Sequence, residues 1–110
     1  MAQSYLIFDF GANEQTAQQA RHRIESWKQA FRLGEKMQLK FERQEPKKAD
    51  GGEHIRLIVH LDFSDHERLS HQRWLDRIPA EEPFKAAERK VVRSGEAAFE
   101  ATAELFDSLP

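Results

Sequence analysis

The chain has 110 residues, a formal net charge of −2, 39% apolar and 33% charged residues, and no cysteine. That length suits one domain with its own core, and eight Phe and two Trp supply large side chains to fill it. Disulfides, cysteine–zinc sites and cysteine nucleophiles are excluded, and the net charge gives no overall pull towards nucleic acid or acidic lipid.

The opening "MAQSYLIFDFGANEQ" has no basic n-region, and its apolar run is too short for a signal peptide or a membrane span. A soluble, cytoplasmic protein with no membrane partner is the expectation. "SYLIFDF" reads as a first strand, with Leu6, Phe8 and Phe10 on one face and Tyr5, Ile7 and Asp9 on the other. Ala17, Ala20, Ile24, Trp27 and Phe31 then step by three and four, the stripe of an amphipathic helix. Asn13 is placed to cap its start, and Gly34 to close its end.

"EKMQLKFERQ" alternates, with Met37, Leu39 and Phe41 inward, and reads as a half-exposed second strand. Residues 45–53, punctuated by Pro46, Gly51 and Gly52, are expected to form a mobile loop. "HIRLIVHLDF" is the third strand, with Ile55, Leu57, Val59, Leu61 and Phe63 facing the core. Ser64 to Glu67 has the S-x-x-E spacing of a capping box, so a second helix should start there, with Leu69, Trp74 and Ile78 on its inner face and Pro79 stopping it. His66 and His71 diverge by roughly 140° around that helix and make a poor chelate. Pro83 then suits the first position of a long helix, whose Phe84, Ala87, Val91, Gly95, Ala98, Thr102 and Leu105 repeat at three and four.

These elements give a single α+β domain over residues 1–110, in the order β-α-β-β-α-α. The third strand is the most apolar and should be central, which makes a three-stranded sheet of order 1-3-2 with helices on one face. This is the split β-α-β arrangement of ferredoxin-like folds, with a long C-terminal helix replacing the last strand. The first strand would then have a free edge, and the second sheet face would be bare.

Three functions compete. The first is a binding or assembly protein that self-associates, or meets another protein, through a strand edge or through Phe99, Leu105, Phe106 and Leu109 of the last helix. The second is single-stranded RNA binding on the bare face by Tyr5, Lys36, Lys40, Arg56 and His60. Residues 17–48 support it with nine Lys/Arg against four acids, a local balance of +5. The third is ligand binding or weak acid–base chemistry near His60. No phosphate loop, nucleophile elbow or metal-ligand spacing occurs, so an enzyme is not expected. No catalytic or metal-ligating residue is assigned, and no cofactor is called for. A self-associating assembly protein ranks first.

Overall fold

Alternation along the strands puts the main core on one side of a sheet. The computed structural model describes residues 2–44 and 54–109, and the loop expected over 45–53 lies outside the described residues. Strands β1 (Ala2–Asp9), β2 (Met37–Gln44) and β3 (His54–Phe63) form with the expected faces. Leu6, Phe8, Met37, Leu57, Val59 and Leu61 are fully buried beneath the helices. β3 is central and antiparallel to both β1 and β2.

Helix α1 (Glu14–Ala30) is capped by Asn13, whose side chain accepts from the Thr16 N–H at 3.0 Å. It buries Ala17, Ala20, Ile24 and Trp27. Phe31 does not join that stripe: the helix has ended, and the ring is 52% exposed. Closure is not made at Gly34. The first left-handed residue after the helix is Arg32, at φ 53°. Helix α2 (Arg68–Ala80) follows a single 3-10 turn at Asp65–Glu67. The expected capping box forms, and the Glu67 carboxylate accepts from the Ser64 N–H at 3.2 Å. Leu75 joins Trp74 and Ile78 in the core, while Leu69 is 78% exposed. Pro79 lies inside the last turn rather than ending the helix one residue earlier. A proline there removes one bond at the fraying end of the helix.

The C-terminal third corrects the expected architecture. The long helix over 84–109 does not form. Pro83 and Phe84–Ala86 make a turn, Glu88–Arg93 is a fourth strand, β4, and only Phe99–Ser108 is helical, as α3. β4 pairs antiparallel with β1, so the sheet is four-stranded with order β2-β3-β1-β4 rather than three-stranded with order 1-3-2. The first strand has no free edge, because β4 satisfies its outward N–H and C=O groups. Gly95, at φ 94°, turns the chain between β4 and α3.

The second sheet face is not bare either. α3 packs on it through Phe106 and closes a second core around Tyr5, Ile58 and Val92. The domain is therefore three layers: α1 and α2, the sheet, and α3.

Candidate functional site

The β1–β3 register sets Tyr5 opposite His60, and their rings stack with centroids 4.5 Å apart and 15° between planes. The sequence places this pair correctly, but α3 covers it. The Phe106 ring lies 5.6 Å from both, the Phe99 ring 5.3 Å from Tyr5, and Tyr5 is only 3% exposed. A nucleobase cannot stack on Tyr5 while α3 is docked. His60 Nε2 is buried and, among the described residues, has no hydrogen-bond partner. Burial holds the imidazole below its ordinary range, with the Asp62 and Asp107 carboxylates offsetting only part of that effect. Burial also raises the Tyr5 phenol, and the same two carboxylates add to the rise. Both rings are therefore neutral near pH 7, packed as core and without a proton relay between them.

The basic residues singled out from the sequence are engaged inside the fold. Lys36 Nζ donates to the Glu67 carboxylate at 2.6 Å. That contact, with the Ser64 N–H and hydroxyl, holds Glu67 at about 2. Lys40 Nζ donates to the Phe106 carbonyl at 2.8 Å and sits 4.6 Å from the centre of the Phe106 ring. Arg56 stands between Glu42, at 3.4 Å, and Asp9, at 3.8 Å. Asp9 also meets His54 Nδ1 at 3.1 Å. Burial alone would raise the Asp9 carboxyl, but the Gly11 N–H, His54 and Arg56 outweigh it and leave it lowered. Lys40 therefore joins Tyr5 and His60 on one face, while Lys36 and Arg56 lie towards opposite ends of the strands. Exposed ion pairs of this kind are screened by solvent and add little to stability. They tie down the cations that were expected to meet phosphate.

Phe106 of the expected interaction patch is core at 2% exposure, and Phe99, Leu105 and Leu109 are half-buried against the same cluster. The wide apolar stripe at the C-terminus faces this chain's own sheet and is not an open surface. His71, from the stretch that starts α2, is held by Ser4, whose Oγ lies 3.0 Å from its Nε2. Burial, and then the nearby Arg93, lower its imidazole.

A concavity larger than the others described here lies along the outer edge of β2. A groove of about 970 Å³ runs between α1, which contributes Arg21, Glu25 and Lys28, and Leu109 at the end of α3. Its floor is β2 itself, through Leu39, Lys40, Phe41 and Arg43. Leu39 and Phe41 are only partly buried, although they pack against the main core.

Hydrogen-bond phase says which way the β2 backbone points. The Ile55 carbonyl accepts from the Phe10 N–H at 2.9 Å, on the β1 side of β3. Successive residues of a central strand bond alternately to its two neighbours, so Arg56, Ile58 and His60 bond to β2. Their register partners there are Glu42, Lys40 and Gln38. Leu39, Phe41 and Arg43 therefore direct their N–H and C=O groups out into the groove. The sequence reading found this strand and its half-exposed face. It gave the edge no role, because the free edge it weighed was that of β1.

A second, smaller cleft of about 510 Å³ is lined by Phe31, Ser70, Arg73, Trp74, Asp76 and Arg77. The Phe31 ring meets Trp74 edge-on at 5.2 Å, and the Arg77 guanidinium lies 5.3–5.5 Å from the Trp27, Phe31 and Trp74 rings. The periodicity of α1 had assigned Phe31 to the core, which hid this cleft. Among the described residues, no helix is long and apolar enough to cross a membrane.

No protein-family model matches the chain, and no curated protein matches it. A solved structure, that of the de novo designed protein Foldit4, is similar to it with a TM-score of 0.49 and 14% sequence identity, over 86% of this chain and 97% of the other. That likeness carries no argument about function.

Proposed function

We propose that this chain is a small binding and assembly protein that works by adding an extended strand to the outer edge of β2. The observation that carries the reading is the groove of about 970 Å³ over that edge, walled by α1 and Leu109. Strand addition takes affinity from main-chain hydrogen bonds and selectivity from the side-chain pockets beside the edge. Leu39, Phe41 and Arg43 supply the outward main-chain groups. In this reading the sheet is a ferredoxin-like arrangement, and α3 is an addition that closes its second face. Closure leaves the sheet edges, rather than a sheet face, for binding.

The test is fluorescence anisotropy with labelled peptides that alternate apolar and polar residues, together with amide exchange to map where they bind. Saturable binding that slows exchange at Leu39, Phe41 and Arg43 is the expected result. Phe41→Pro should abolish it, because proline removes an outward donor and leaves the β2–β3 bonds intact. Peptides that bind without protecting those three amides, or an absence of binding by every alternating peptide, would refute the reading.

A further inference from the structure

Resting on that reading of the β2 edge, we propose that the strand it takes is β2 of a second copy, antiparallel, with Phe41 facing its own counterpart across a two-fold axis.

The described residues offer two outer strand edges, those of β2 and β4. In a two-fold pair of antiparallel strands, directly opposed side chains lie on the same side of the sheet. A residue can then face only its own counterpart at the axis, and its neighbours pair symmetrically about it. Few registers are allowed, and charge separates them.

For β4 the two central registers are both repulsive. Centring on Lys90 opposes Lys90 to itself, and centring on Val91 opposes Arg89 to Arg93 twice. Like charges directly opposed destabilise a strand pair. β4 therefore carries the charged protection expected of an edge that must stay single.

For β2 the outcome reverses. Centring on Lys40 or on Glu42 opposes like charges, and centring on Leu39 overlaps only residues 37–41. Centring on Phe41 overlaps residues 38–44 and opposes Lys40 to Glu42 twice, on the α3 side of the sheet. It also opposes Phe41 to Phe41 and Leu39 to Arg43 on the α1 side. Phe41 already carries the Arg43 guanidinium 5.5 Å from its ring centre, so an aromatic and cationic stack is in place to receive the second ring. Leu39, Phe41 and Arg43 are the residues whose backbone points outward, and in this register they pair with one another. About six interchain backbone bonds result. Hydrogen-bond phase allows each of these registers, and charge and overlap together select the one centred on Phe41.

The test is sedimentation equilibrium over a wide concentration range on the wild type, Lys40→Glu, Glu42→Lys and the double exchange, with folding of each checked by circular dichroism. The wild type should dimerise. Each single reversal should weaken the dimer about tenfold or more, because two attractive pairs become two repulsive ones, and the double exchange should restore it. As a second measurement, Phe41→Cys should give a disulfide-linked dimer on mild oxidation, since facing Cα atoms of a hydrogen-bonded pair lie about 5.5 Å apart. Val91→Cys on β4 should not. The natural chain has no cysteine to interfere. A monomer at every concentration that still captures alternating peptides at β2 overturns this inference and leaves the edge reading standing. A dimer that Val91→Cys links, or that the double exchange fails to restore, overturns the register.

Discussion

Removing the Phe106 ring tests whether α3 is part of the domain or an accessory arm. The ring is 2% exposed and sits over Tyr5, His60 and the Lys40 ammonium. A Phe side chain in such a site removes roughly 200 Å² from water, and Phe→Ala in a core typically costs about 3–5 kcal/mol. The cost is bounded above by the free energy of undocking α3, because a ten-residue helix released from the sheet does not stay helical by itself. Undocking would expose Tyr5, Ile58 and Val92, so the bound is itself several kcal/mol. Phe106→Ala should therefore lower stability in urea by about 3 kcal/mol or more. Amide exchange should quicken in α3 and at the β1 and β3 residues beneath it before the α1–α2 side is affected. A loss under about 1 kcal/mol, or faster exchange spread evenly over the whole sheet, would refute the packing of α3 as the second core.

His60 and His71 are both held below their ordinary range by burial, so the unfolded chain binds more protons than the folded one below about pH 6.5. The stability they give is complete above that value and is lost as pH falls through the window beneath it. Urea midpoints at pH 7.5 and 5.5 should show the decline, and an equal or higher midpoint at pH 5.5 would contradict it. Arg32 occupies the left-handed region at φ 53°, where a Cβ is strained, so Arg32→Gly should raise stability by about 1 kcal/mol, read as a higher denaturation midpoint.

The first 80 residues were largely legible because their elements carry one period each. β1, β2 and β3 alternate, α1 and α2 step by three and four, and Asn13 and the Ser64–Glu67 box mark where the helices begin. These are local signals, and the structure keeps them. The errors within this stretch fall at helix ends, where Phe31 turns outward, Arg32 rather than Gly34 closes α1, Leu69 is exposed at the start of α2 and Pro79 sits one residue inside.

After Pro83 the signal is ambiguous. Phe84, Ala87, Val91, Gly95, Ala98 and Thr102 fit a helical stripe, yet Val91 and Val92 are β-branched and suit a strand equally well. What decided the matter was the edge of β1. A central apolar strand with unsatisfied N–H and C=O groups gains two ladder bonds from each alternate residue of β4 that joins it, and no helix at that position supplies them. Once β4 was in the sheet, Gly95 became a turn, and the remaining amphipathic segment had one apolar surface to cover, the face carrying Tyr5 and Ile58. That packing closed the face where the sequence pointed to a stacking platform and drew Phe106 and Lys40 inward. The β2 edge became a candidate site by the same route. Local pattern made it a strand, but only the pairing of β1 with β4 and the docking of α3 left its outward backbone lying in a groove.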